Sequence, residues 1–365
     1  MIYHNPVEVI ETNKWKDQCD FSLQKLGICE PLVITTNGTV KRQNLLEFFN
    51  NKFIFSDISP NPTIDSCQEA INYSLDQNFD GIIALGGGST LDTAKVVMAS
   101  LASGISDINK LIKFKDSYMN KVKSIFIPTT HGTGGEVTRW GTIWNLGIKK
   151  KYSISHPDLY PDIAILDGNL STTLPIDISI ITCLDALSHS FEAIWNKNAN
   201  LTSTDYAIES ICLILSNINR LVKEPNNIRV RNILLKASNI AGLAFSNTKT
   251  AAAHSISYPL TINFNIPHGI ASSMPLLHLL HINKIEIENE LRRIQNKMGF
   301  NDLNTLTKYI RNIPNNKIKY SLREWGVLPN ELESLVDQSF TKGRMDNNIV
   351  DLSKDNVLKI LEGIY

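Results

Sequence analysis

The sequence predicts an α/β N-terminal half, built on a parallel sheet, followed by an all-α C-terminal half. Three observations lead there. The chain has 365 residues, more than one ordinary core accommodates. Up to Asp167, short apolar runs alternate with helical stretches, the texture of strand, crossover helix and strand in a sheet covered on both faces. From Asp177 onward the pattern is helical with short breaks at Gly and Pro. The boundary is expected near Asp167 to Thr173, dividing residues 1–168 from 169–365.

Taken in order, Pro31 to Thr35 is a short buried strand followed by turn residues Asn37 and Gly38. Phe53 to Phe55 is a second strand, closed by Ser59-Pro60-Asn61-Pro62. A helix over about Thr63 to Gln77 leads into the strand Gly81 to Leu85. Gly86 to Ser89 then opens a helix that runs through Ala99. Lys123 to Ile127 is a further strand, and Ile163 to Asp167 the last of this half. Asp177 is the expected N-cap of the first long helix of the second half.

Composition narrows the function classes. Lys plus Arg and Asp plus Glu stand at 36 each, so no electrostatic footprint for nucleic acid or an anionic membrane is present. The five cysteines form no C-x-x-C pair, which argues against a disulfide framework or a thiolate metal site. Met1 to Pro6 shows no basic region followed by an apolar run, and no apolar stretch approaches the roughly 20 residues that span a bilayer. A cytoplasmic protein is expected.

Two loops suit phosphate. Gly86-Gly87-Gly88-Ser89-Thr90 lies between a strand and a helix, where backbone N–H groups and the positive helix end can meet a pyrophosphate. It is not the G-x-G-x-x-G fingerprint, and a tight strand-to-helix turn explains it equally simply. Pro128-Thr129-Thr130-His131-Gly132-Thr133-Gly134-Gly135-Glu136 also follows a strand and is rich in hydroxyls and glycine. Two such loops at one sheet edge are what a dinucleotide crevice requires.

Four residues suggest a metal. Asp185 and His189 are an i, i+4 pair on one helical face. His254 and His268 lie in a segment interrupted by Pro259 and Pro267, which forbid one continuous helix and let the chain bend back. One carboxylate and three imidazoles suit Fe(II) or Zn(II) rather than Mg or Ca.

With these motifs in place, the chain resembles the iron-containing (group III) alcohol dehydrogenases over nearly its whole length. The resemblance rests on Pro60 to Pro62, Gly86 to Lys95, Thr129 to Thr138, Asp185 to Ala193, His254 to Pro259 and Pro267 to Gly269. It implies a dehydroquinate-synthase-like fold, with a dinucleotide-binding α/β domain and an all-helical metal domain. It makes Asp185, His189, His254 and His268 the metal ligands. Cofactor contacts would come from Thr36, Gly86, Gly87, Gly88, Ser89, Asp92, Thr129, Thr130, Thr133 and Lys151, although Lys151 also reads as a surface lysine. The expected enzyme is a homodimer that interconverts a small aldehyde and a primary alcohol. Fe(II), or Zn(II), would serve as Lewis acid, and NADPH or NADH as hydride carrier. No acid follows the strand Pro31 to Thr35, while Lys41 and Arg42 are close, which inclines the choice to NADPH.

The departures are informative. Relatives usually carry a histidine four residues after the third ligand. Here Tyr258 stands at that position, so Tyr258, a water or the cofactor ribose must replace it in proton transfer. The stretches Ser257 to Thr261 and Gly343 to Asn348 resemble the phosphonoacetaldehyde reductase branch. A phosphonate needs cationic partners, for which His131, Arg139 and Arg344 are candidates, each arginine equally readable as a structural ion-pair residue. A general short-chain alcohol dehydrogenase is the plainer alternative. A dehydroquinate-synthase-like lyase and a catalytically silent assembly protein are rivals from other classes. His278 and His281 read as packing residues on an apolar helix.

Overall fold

The computed structural model describes residues 3–314 and 316–365. The chain forms two compact units. One comprises residues 5–130 and 134–171, the other Tyr3, His4 and residues 131–133 and 172–365.

The first unit is built on six parallel strands: β1 (Glu8–Glu11), β2 (Pro31–Thr35), β3 (Ile54–Phe55), β4 (Gly81–Gly86), β5 (Ser124–Pro128) and β8 (Ile163–Leu166). Their order is β1-β8-β5-β4-β2-β3, and a separate antiparallel hairpin joins β6 (Trp140–Asn145) to β7 (Lys150–Ser155). Helices α1 (Trp15–Leu26), α2 (Asn37–Arg42), α3 (Ile64–Leu75), α4 (Gly88–Ser103) and α5 (Ile108–Leu111) connect or cover the strands. Strand side chains alternate between two cores, as the period of two requires. Leu32, Ile34, Ile82, Ala84 and Phe126 join one cluster with residues of α3 and α4. Val33, Ile83, Leu85, Ile125 and Ile127 join another with Trp15 and Cys19 of α1. Both faces are therefore apolar, which is why these strands read as continuous hydrophobic runs.

Register positions the loops. Thr35 lies beside Leu85, and Gly86 beside Pro128. Because β2, β4 and β5 are parallel neighbours, the segments that follow them leave from one sheet edge. Strand order reverses between β2 and β4, the kind of switch point at which open α/β sheets bind ligands.

The second unit is helical: α6 (Ile176–Ile194), α7 (Leu201–Lys223), α8 (Ile228–Thr248), α9 (Ala252–Phe264), α10 (His268–Ser273), α11 (Leu276–Asn283), α12 (Glu288–Met298), α13 (Leu303–Arg311), α14 (Leu332–Gln338) and α15 (Lys354–Gly363). Helix α6 is buried along most of its length against α7, α8 and α10. Arg231 of α8 anchors its N-terminal end. This wholly buried guanidinium donates to Pro225 O at 2.8 Å, Ser179 Oγ at 2.8 Å and Leu174 O at 3.1 Å. Among the described residues, no helix is long and apolar enough to cross a membrane.

The structure corrects several local expectations. Asn37 and Gly38 are not a turn: they begin α2, whose N-cap Thr36 accepts a hydrogen bond from Thr39 N. Asp177 lies inside the first turn of α6 rather than capping it, because Pro175 takes the cap position. Pro259 does not break the chain but sits within α9. The bend comes at Asn265, left-handed at φ 54°, with Pro267 two residues on. Strand β1 and the β6–β7 hairpin were not expected from the sequence pattern, since short or half-exposed strands carry a weak periodic signal.

Replacing Arg231 by Met should lower the stability of the helical unit by about 3 kcal/mol, since buried acceptors at the α6 entry lose a charged donor. Urea unfolding followed by far-UV circular dichroism reads this, and an unchanged midpoint would show that the guanidinium is dispensable.

Candidate functional site

Asp185 and His189 are one turn apart on α6, and His254 stands one turn into α9. All three are buried, and one donor atom from each lies within 4.8 Å of the others. His254 Nε2 is 3.7 Å from Asp185 Oδ1, and His268 Nε2 is 3.9 Å from the same oxygen. The His189 ring stacks on Phe245 at 4.2 Å and on His254 at 4.4 Å, and the His268 ring meets His254 edge-on at 5.2 Å. The His268 side chain is 25% exposed against 2% for His254, so the cluster opens on the His268 side. Tyr258 lies there too, its ring nearly parallel to His268 at 6.4 Å.

The cluster fits a transition-metal ion. His254 Nε2 is buried without a hydrogen-bond partner, and 3.7 Å from Asp185 is beyond hydrogen-bond reach. A buried polar atom left in this way costs about 1–3 kcal/mol unless it finds a partner. Ligands of a tetrahedral metal at about 2.0–2.1 Å lie about 3.3 Å apart, close to the spacings here. Burial would raise the Asp185 carboxyl, but the imidazoles of His189, His268 and His254 hold it well below the usual carboxylate range. Burial pushes His189 down to about 4 despite the carboxylates nearby. Burial alone would also lower His254, but Glu192 and Asp185 outweigh it and push the imidazole up to about 10. The imidazoles and the two buried carboxylates, Asp185 and Glu192, thus compensate one another's charge.

Three supporting residues have no role in the sequence-based expectation. Glu192 is fully buried; its Oε1 accepts from His254 N at 3.0 Å and its Oε2 lies 2.5 Å from His254 Nδ1. With Nδ1 held by the carboxylate, Nε2 is the nitrogen presented to Asp185. The signal was available, since Glu192 is three residues after His189 and seven after Asp185, on the same helical face. Ser272 Oγ donates to Asp185 Oδ1 at 3.0 Å. Gly269 lets α10 touch α6: a Cβ there would run into Ile181 O and stand 3.1 Å from Asp185 Cβ.

In the α/β unit, Gly87 caps α4, and a Cβ on Gly87 would come within 3.1 Å of Thr130 Cγ2. A Cβ on Gly86 would collide with the Thr90 side chain. Thr129 N donates to Gly86 O at 3.1 Å, and Ser89 Oγ accepts from Asn61 N at 3.1 Å. Gly88 opens the helix, so the backbone is bare where an anion would approach its N-terminus. Thr36 is at the same edge, but its hydroxyl is engaged in capping α2. Asp92 is raised by burial to about 6, opposed by Lys95, Lys151 and hydrogen bonds from Thr142. Lys151 lies over the Trp144 ring at 5.4 Å. Lys95 is fully buried and donates to Gly135 O at 2.7 Å, Thr138 Oγ1 at 2.9 Å and Trp140 O at 2.9 Å. It thereby ties the segment after Gly134 to α4, a role the sequence does not announce.

The expected anion partners fare unequally. His131 requires correction as a cation: it is wholly buried, and burial together with the Arg231 guanidinium pushes it down to about 3, leaving it neutral. With Gly132 and Thr133 it belongs to the helical unit, where a Cβ on Gly132 would crowd Thr182. Arg139 is in the α/β unit, its guanidinium 5.8 Å from the Trp140 ring centre. Arg344 is half-buried and precedes the turn Met345–Asn347, which packs against the His254 helix α9.

Comparison with known proteins decides the family. Residues 6–168 match the iron-containing alcohol dehydrogenase family, and residues 179–365 match the Fe-containing alcohol dehydrogenase family, C-terminal. The chain belongs to the iron-containing alcohol dehydrogenases. It is 28% identical to long-chain-alcohol dehydrogenase 1 of Geobacillus thermodenitrificans over 90% of this chain and 87% of that one. It is 26% identical to sulfoacetaldehyde reductase of Bilophila wadsworthia over 99% of this chain and 94% of that one. The crystal structure of sulfoacetaldehyde reductase from Bifidobacterium kashiwanohense in complex with NAD+ superposes with a TM-score of 0.92 at 25% identity, covering 100% of this chain and 98% of that one. The expected two-part fold, parallel α/β then all-helical, is that of these relatives. This iron-type dehydrogenase is accordingly an oxidoreductase of alcohols and aldehydes.

Two substitutions probe the centre. Glu192→Gln removes one acceptor from His254 and should weaken Fe(II) or Zn(II) binding by about 10–100-fold, read by competition with a chromophoric chelator; unchanged affinity would show that Glu192 does not position the imidazole. Gly269→Ala should force α10 from α6, lowering both the melting temperature and the metal content. A variant with wild-type melting and full metal content would contradict that close packing.

Proposed function

We propose that this dehydrogenase reduces a small aldehyde with an anionic head, phosphonoacetaldehyde in the first instance, to the primary alcohol. The observation that carries the reading is the buried group of Asp185, His189 and His254, with His268 at its exposed edge. In this reading all four hold the metal, residues 1–168 take the dinucleotide and residues 169–365 the metal. Fe(II), or Zn(II), supplies Lewis acidity towards the carbonyl oxygen, and NADPH or NADH supplies the hydride.

The chain's own residues do the rest. Gly86 to Ser89, with Thr129 and Thr130, receive the pyrophosphate, supported by the bare N-terminus of α4 and the shared sheet edge. Thr36, Asp92, Thr133 and Lys151 complete the cofactor contacts. Lys41 and Arg42 close the short helix after β2, and Arg42 folds back on Thr39 Oγ1 at 3.3 Å. A cation there favours the 2′-phosphate of NADPH. Tyr258, stacked beside His268 on the open side, gives its phenolic proton to the product oxygen where relatives use histidine. Arg344, next to the turn packed on α9, is the cation this reading assigns to the head group, and Arg139 is the alternative arginine. Two relatives are sulfoacetaldehyde reductases, which favours sulfoacetaldehyde as a second reading with the same head-group logic.

Anaerobic turnover with Fe(II)-loaded protein tests this. Phosphonoacetaldehyde or sulfoacetaldehyde should be reduced with a kcat/KM at least about tenfold above that for propanal, and Arg344→Gln should erase the difference. Efficient turnover of propanal alone would leave a general short-chain alcohol dehydrogenase. A preference for NADH over NADPH of about a hundredfold would reject the assignment of Lys41 and Arg42.

A further inference from the structure

The helical unit carries a second concavity, formed by α11, α13 and α15, with a volume of about 580 Å³. That size is ordinary for a small-molecule pocket. Its floor is apolar, from Leu277, Ile282 and Ile360. Around it stand His278, His281, Arg311 and Lys359, and no carboxylate lines it. Among the described residues neither Arg311 nor Lys359 has an acidic partner within ion-pair distance.

His278 is the inner wall. Its Nδ1 is buried without a hydrogen-bond partner, and it lies so close to α15 that any Cβ at Gly363 would strike its ring. Burial, then Arg311 and His281, lowers its pKa, so the ring is a neutral donor and acceptor. Two permanent cations without counter-charge, a half-buried imidazole with one unpartnered nitrogen and an apolar floor describe one ligand chemistry. The head must be anionic and able to accept hydrogen bonds, and the body must be hydrocarbon.

We propose that this cavity binds an amphipathic carboxylate, a short- or medium-chain fatty acid, with its head towards Arg311 and Lys359 and its tail over Leu277 and Ile360. The site is built from residues that have no part in holding metal or dinucleotide, and it stands independently of the substrate assignment. The packing role expected for His278 is thereby extended: the ring is packed, but one nitrogen is left to a ligand.

Isothermal titration of the full-length protein with octanoate, octanol and octylammonium tests the proposal. Octanoate should bind at one site, with octanol and octylammonium each weaker by about tenfold or more. The double substitution Arg311→Gln/Lys359→Gln changes two exposed side chains and should weaken octanoate by about tenfold with an unchanged circular dichroism spectrum. Leu277→Trp should fill the floor and abolish binding, while His268→Ala should leave it intact. Equal affinity for octanol, or wild-type affinity in the double variant, would overturn the site. Loss of binding in His268→Ala would show instead that octanoate had entered the metal centre.

Discussion

A buried carboxylate on a helix constrains everything around it. Asp185 lies inside α6 with little access to water, and an isolated charge there would be neutralised or expelled. Its surroundings are therefore donors and potential cations: three imidazoles and the Ser272 hydroxyl. Each requirement reaches outward. His254 must present one nitrogen, so Glu192 holds the other; His268 must come close, so Gly269 has no side chain. Arg231 then fixes the entry of α6, so that the helix on which all of this is counted starts in the right place. Compensation of one charge thus propagates through α9, α10 and α8.

The α/β unit solves a different problem by backbone rather than side chain. Parallel strands covered on both faces put the ends of β2, β4 and β5 side by side. What emerges there is deliberately poor in side chains, because a phosphate needs N–H groups at close range. The supporting charge is hidden behind it. Lys95, buried and satisfied by two carbonyls and a hydroxyl, links the helix opened by Gly88 to the segment around Thr138. A buried lysine with three acceptors is a structural tie; burial lowers it to about 8, opposed only in part by Asp92 and Glu136 nearby.

Legibility followed the strength of local patterns. The strands Pro31 to Thr35 and Gly81 to Leu85 were plain, being short, apolar and bounded by turn residues. The hairpin of β6 and β7 was not, because half-exposed strands mix polar and apolar residues without a clean alternation. Pro259 misled for a similar reason. A proline rule describes an average helix, whereas α9 is held by packing on α14 and α10. His131, in a glycine-rich loop, read as a candidate cation for a phosphonate. Only tertiary burial beside Arg231 makes it neutral.

By itself the sequence determined the class of chemistry and the order of its parts: a glycine-rich turn after a strand, an i, i+4 Asp–His pair, and two further histidines flanking two prolines. These are local facts, set by residue type and helical spacing. Tertiary structure alone decided which groups compensate which. The pairing of Glu192 with His254 spans 62 residues and that of Ser272 with Asp185 spans 87, and no periodicity encodes such distances. Nor does spacing reveal that Gly363 seats His278, or that Lys359 and Arg311 share one concavity without an acid between them. Burial sets the energetic value of every charge here, and burial exists only once the chain has folded.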